Sequence, residues 1–281
     1  MTSNLFLEKT VERTRALAGS ELDEITVERA VFGLFYSGVK ISTGQGGLCF
    51  TPVKGMPEAV CCPSSAKAMP LSGKLAGRKV AKYLADIFDG NILRRTLGIA
   101  ALNALSTLCW ERGAYITADG TAYALRKSKD AFEELEIAQD ERVAVVGAMV
   151  PILKKLAREG HDYTVLEMDS RTLKGDELAH YRPANEAGQV IPHADLLVLT
   201  GVTILNDTLA GLLDMAKPGA RVLVIGPTAS MLPDAFFAHG VTMMGGVIVT
   251  DTDVALDIIS EAGSGYHFYG KSAERLLIEK L

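Results

Sequence analysis

Apolar positions in the second half of the chain fall in short continuous runs rather than in alternation. VAVVGAM (143–149), YTVLEMD (163–169), HADLLVLTG (193–201), RVLVIGP (221–227) and VTMMGGVIV (241–249) are such runs. Helical segments separate them: one ending at Glu159, one around 206–216, one around 230–238 and one from 252. Strands of near-continuous Val, Leu and Ile alternating with helices predict a parallel sheet covered on both faces. The fold class is therefore α/β, and this half reads as a Rossmann-like, doubly wound sheet.

The first half is patterned differently. Residues 4–18 set Leu7, Val11, Thr14 and Ala18 on a helical spacing. Residues 25–42 are rich in β-branched and aromatic types and run into Gly44-Gln45-Gly46-Gly47 and then LCFTPV, which predicts a hairpin with a glycine-rich loop. Pro57, Pro63 and Pro70 punctuate an irregular stretch. Two helices follow, over 73–88 and 92–110, the second behind Asn91 as an N-cap. Strands followed by helices make an α+β unit. The charged stretch 128–142 marks a boundary, giving expected domains at 1–128 and 129–281.

Composition narrows the function. A chain of 281 residues with 48% hydrophobic and 22% charged residues builds a core without staples. The net charge of −5, with no Lys/Arg cluster among aromatics, argues against a nucleic-acid partner. No apolar run reaches bilayer length, so no membrane partner is expected. The segment MTSNLFLEKTVERTRAL mixes acids and bases and does not read as a signal peptide, so the expected location is the cytoplasm. Cys49, Cys61, Cys62 and Cys109 form no disulfide framework.

The chemistry starts from a broken fingerprint. The pattern G-x-G-x-x-G would need glycines at 149 and 152 after Gly147, and the chain has Met149 and Ile152. Those glycines let a pyrophosphate approach and let helix and strand pack closely, so NAD and FAD are disfavoured. In open parallel sheets the ligand lies beyond the carboxyl ends of the strands. Four loops there are candidates. Gly147 to Pro151 is a tight turn or a ligand contact, with Pro151 leaving the other amides free. Glu167 to Asp169 supplies acids that bind ribose in nucleotide sites, or merely a solvated loop. Thr200, Gly201, Thr203, Asn206, Asp207 and Thr208 crowd one loop, in which capping explains one residue and ligand contact the set. Gly226, Pro227, Thr228 and Ser230 open a helix where amides would favour an anion, or where Thr228 or Ser230 is an N-cap and nothing more. In RRTLGIAALNALSTLCW, Asn103 either makes an internal hydrogen bond or faces a cleft between domains. Cys61-Cys62 lacks metal-ligand spacing, the histidines are scattered, and no metal site is expected. No nucleophile elbow or P-loop is present.

LGIAALNAL (97–105), VAVVGAMVPIL (143–153), ADLLVLTGVTILNDTLAGLL (194–213) and RVLVIGPTASMLPDAFFAHGV (221–241) together resemble the putative heavy-metal-chelation family. Its specific part is the pair of loops TG-x-T-x-x-N-x-T and GP-[ST]. The resemblance implies an enolase-N-terminal-like domain followed by a Rossmann-like domain, with a ligand between them. It also implies a role with pterin-, flavin- or siderophore-like chelators, and an organic chelator that carries the metal is one cargo consistent with that role. The expected ligand contacts are Asn103, Gly147, Thr200, Gly201, Thr203, Asn206, Gly226, Pro227 and Thr228. Three functions stay open. The first is an enzyme that condenses or hydrolyses a chelator precursor, with Asp207, Glu167 or a cleft cysteine as base. The second is a non-catalytic chelate carrier or sensor. The third is an S-adenosylmethionine-dependent methyltransferase using Gly147, Glu167 and Asp169. A homo-oligomer, burying an edge near 241–249, is also an open alternative.

Overall fold

The structure, a computed structural model, describes residues 4–53 and 71–281. Cys61 and Cys62, weighed above as metal ligands, lie outside the described residues. The chain opens with α1 (Leu5–Ala18), whose buried side chains repeat every three to four residues. Three strands follow: β1 (Val27–Phe32), β2 (Tyr36–Ile41) and β3 (Gly46–Phe50). They pair antiparallel in the order β1-β2-β3. The expected single strand over 25–42 is thus two, because the chain turns at Gly33-Leu34-Phe35.

The first helix after the small sheet, α2 (Val80–Asp86), is shorter than the sequence predicts, since residues 71–78 form turns. α3 (Ile92–Glu111) starts where expected, with Asn91 Oδ1 accepting from the amides of Leu93 and Arg94. From Arg95 to Trp110 this helix is buried without interruption. A helix buried all round is a central one. It packs on α1, α2, β2 and β3. Its approach to β3 is backbone to backbone: a Cβ on Gly47 would lie 2.0 Å from the Ala100 carbonyl oxygen.

The large sheet takes β4 (Tyr123–Lys127), then β5 (Arg142–Val146), α4 (Val150–Glu159), β6 (Asp162–Glu167), β7 (Tyr181–Pro183) and α5 (Ala187–Val190). Next come β8 (Leu196–Thr200), α6 (Val202–Leu205), α7 (Leu209–Leu213), β9 (Arg221–Ile225) and α8 (Asp234–Ala238). β10 (Met243–Val249), α9 (Thr252–Ser260), α10 (Gly265–Phe268) and β11 (Ala273–Lys280) complete it. The order is β4-β11-β10-β9-β8-β5-β6-β7. The strands from β7 to β10 pair parallel, while β11 runs antiparallel to both β10 and β4. The fold is mixed α/β, with a parallel-dominated eight-stranded sheet and a small antiparallel one.

Three local expectations are corrected. β10 is not an edge strand, because β11 covers it along its whole length. The helix placed at 206–216 is only α7 (Leu209–Leu213), separated from the preceding α6 where Asp207 takes a positive φ of 61°. The helix placed at 230–238 begins only at Asp234, and residues Pro227–Ala229 form a 3-10 turn.

Candidate functional site

Chain order reverses across the sheet between β5 and β8: β6 and β7 lie to one side, β9 and β10 to the other. The connections leaving two adjacent strands then diverge to opposite faces, and a crevice opens beyond their carboxyl ends. A cavity of about 380 Å³ occupies that crevice. The turns after β5 and β8 contribute Met149, Pro151, Thr200 and Val202, and the turn after β9 contributes Gly226 and Thr228. Tyr36 and Phe50 of the small sheet close it from above, and Asp130, Tyr269 and Arg275 form a side wall.

Of the residues expected to contact a ligand, Thr200, Gly201, Gly226, Pro227 and Thr228 line this cavity. Gly147, Asn103, Thr203 and Asn206 do not. Asn103 lies beneath the cavity floor, where its Nδ2 donates to the carbonyls of Leu48 at 2.8 Å and of Pro227 and Thr228 at 3.2 Å. Thr228 Oγ1 accepts from the Phe50 amide at 3.0 Å. These contacts replace a fourth strand at the β3 edge and join α3 and the small sheet to the turn after β9. Thr203 is buried, its hydroxyl donating to the Thr200 carbonyl at 2.7 Å. Asn206 is exposed and accepts from the Thr208 hydroxyl at 2.7 Å.

Two candidate ligand loops are altered by the geometry. In the first loop three of the amides are already spent. Gly147 N donates to Leu166 O, Ala148 N to Glu167 Oε2 and Met149 N to Gly147 O. In the fourth, the 3-10 turn supplies no helix dipole, and the Gly226 backbone sits at φ 131° and ψ 162°, a region essentially confined to glycine.

Among the described residues the candidate bases are occupied. Glu167 accepts from the amides of Ala148, Met168 and Asp169. Asp207 forms a two-pronged ion pair with the buried Arg95 of α3. Cys49 is fully buried, and burial pushes its thiol up to about 12, so it stays protonated and unreactive. The carboxylates on the cavity wall are paired as well, Asp130 with Arg275 at 2.8 Å and Glu133 with Lys155 at 2.8 Å. Burial raises the phenols of Tyr36 and Tyr269, which remain donors at neutral pH.

This donor set is hydroxyls, phenols and a guanidinium, with acids already neutralised. It does not fit a bare metal ion, which needs several unpaired anionic or imidazole ligands. Among the described residues no group of three or more His, Cys, Asp or Glu is placed to hold a metal. Among those residues, too, no helix is long and apolar enough to cross a membrane.

Two family models described as putative heavy-metal chelation match residues 15–106 and 130–278. The chain belongs to that family. An uncharacterised protein of Methanocaldococcus jannaschii is 34% identical over 195 residues, 67% of each chain. A family member of unknown function from Pyrococcus horikoshii superposes with a TM-score of 0.74 at 21% identity, covering 98% of this chain and 99% of that one. Another, from Desulfitobacterium hafniense, gives 0.70 at 20% identity, covering 97% and 100%. At these identities the two structures share the fold.

Sequence reasoning missed Tyr36, Phe50, Asp130, Tyr269 and Arg275. Arg275 and Tyr269 arrive through an antiparallel strand and the turn before it, so no rule about parallel strand ends reaches them.

Proposed function

We propose that this family member binds a small, oxygen-rich organic molecule in the cavity between the small sheet and the β5/β8 crevice, and handles metal only as a chelate of that molecule. The observation that carries this reading is the cavity itself, set at the switch point and closed by Tyr36 and Phe50 from the other sheet. The wall chemistry agrees: threonine hydroxyls and phenols donate to ligand oxygens, while the paired acids leave no ready ligands for a bare ion. The description of the family supports a chelator as cargo. The occupied state of Glu167, Asp207 and Cys49 favours a carrier or sensor over an acid–base enzyme, since a general base needs a free lone pair within reach of its proton. It also weakens the methyltransferase alternative, because Glu167 is committed to backbone amides.

Native mass spectrometry of gently purified protein tests this. A retained organic mass, with or without metal, is expected. Val202→Trp fills the cavity from a half-buried wall position and should abolish that mass while the fold persists. The same mass retained at the same stoichiometry by Val202→Trp would place the ligand elsewhere. A bare stoichiometric metal ion would overturn the reading.

A further inference from the structure

Arg275 is the one cation on the described cavity wall whose surroundings look arranged for exchange. It projects from β11 and is half-exposed, with a side-chain exposure of 49%. Its guanidinium lies over the Tyr269 ring, 4.5 Å from the centroid. Its Nε meets Asp130 Oδ2 at 2.8 Å. A guanidinium carries five donors in a planar fork, so the single contact through Nε is weaker than the two-pronged pair that a carboxylate reaching Nε and Nη together would make. A cation–π contact with an aromatic ring holds the guanidinium in place without consuming a donor.

The same residues border a second, smaller recess. A pocket of about 30 Å³ opens beside the main cavity, sharing Asp130, Gly226, Tyr269 and Arg275 with it. Its lining includes Gly245 and Gly246 of β10. That volume suits one water or one ligand oxygen. The main cavity beside it is walled by Tyr36, Phe50 and Tyr269. An apolar aromatic wall next to a one-oxygen recess and a guanidinium held over a ring is the complement of a flat ring bearing an acidic group.

We infer that Arg275 reads the carboxylate of an aromatic acid, and that Asp130 is the internal anion the ligand displaces. This rests on the cavity being the binding site, and it adds the ligand class and the residue that selects it. Asp130 holds the guanidinium over Tyr269 in the free protein. An incoming carboxylate takes its place, with one oxygen across Nε and the adjacent Nη and the other in the recess beside Gly245 and Gly246. Asp130 therefore competes with ligand, and neutralising it should strengthen binding.

The test compares salicylate with salicylamide, which share a ring and differ in the acid. Both are titrated by NMR into wild-type protein, Arg275→Gln and Asp130→Asn. Arg275→Gln should weaken salicylate about tenfold or more, the loss of one charge-assisted contact, and leave salicylamide within about twofold. Asp130→Asn should bind salicylate several-fold more tightly than wild type, a gain that misfolding cannot produce. If both probes bind in the cavity and Arg275→Gln shifts them equally or not at all, the role of Arg275 is overturned while the cavity keeps its ligand. If Asp130→Asn weakens salicylate, the displacement is wrong. If salicylate does not bind wild-type protein at all, the aromatic acid is the wrong class, and mass spectrometry of the retained molecule judges the cavity separately.

Discussion

Asn103→Ala isolates the join between the two sheets. The two N–H protons of Nδ2 serve three buried carbonyls, one at 2.8 Å and two at 3.2 Å. A buried hydrogen bond contributes about 1 kcal/mol net, and a carbonyl left unpaired costs about 1–3 kcal/mol. Asn103 Oδ1 is itself buried without a partner, so its removal relieves a desolvation penalty of about 1 kcal/mol. The balance is a loss of about 2–3 kcal/mol. Urea unfolding followed by the fluorescence of Trp110, the single tryptophan and buried on the same helix, measures it. The midpoint should fall with the slope unchanged. Asn103→Asp sets a carboxylate against the same three carbonyls and should lose more. In a double-mutant cycle, Thr228→Val should couple to Asn103→Ala by about 0.5 kcal/mol or more, because both residues fasten β3 to one turn. A loss below about 0.5 kcal/mol for Asn103→Ala, or an Asp variant as stable as the Ala variant, would refute the clamp.

Two further outcomes follow from packing and burial. Gly47→Ala drives a Cβ to 2.0 Å from Ala100 O and 2.5 Å from Ala104 N, both backbone atoms that cannot rotate away. It should lower stability by about 3 kcal/mol or more, and a change under about 1 kcal/mol would mean that β3 and α3 separate easily. Burial raises the thiols of Cys49 and Cys109 to about 12 and about 11 against an ordinary 9.0. Below pH about 9 both thiols keep their protons, folded or unfolded; above it the unfolded chain releases them first, so stability falls as pH climbs toward 11 and 12. The urea midpoint should decline over that window, less steeply in a Cys49→Ala/Cys109→Ala protein. Parallel declines in the two proteins would show that the thiols do not carry the effect.

Elements with local signals were legible in the sequence. Asn91 caps α3 as its position implies, and the Val/Leu/Ile runs at 143–146, 196–200 and 221–225 are the central strands. β11 was hidden because AERLLIEK is built from good helix formers, and only its pairing with β10 and β4 makes it extended. The loops at strand ends were visible as polar clusters, and five of the nine residues drawn from them and from α3 do line the cavity. Composition could not say which polar groups face inward. Thr203 and Asn103 spend their donors on backbone, Asp207 spends its charge on Arg95, and Glu167 closes the first loop instead of binding a ribose.

The placement of β4 bears on how the molecule is made. This strand leaves α3 early in the chain, yet its sheet partner is β11, with Lys127 set against Leu276. During synthesis β4 emerges long before that partner, and it waits with its hydrogen-bonding edge unmet. Pairing across so great a sequence separation carries a large loop-closure entropy and is slow to nucleate. The parallel strands from β5 to β10 can assemble on the nascent chain in order, while the seam between first half and second is sewn last. A ribosome-bound chain lacking β11 should therefore show a protease-sensitive 123–127 segment beside a protected β5–β9 core, so the final strand sets when the molecule becomes resistant.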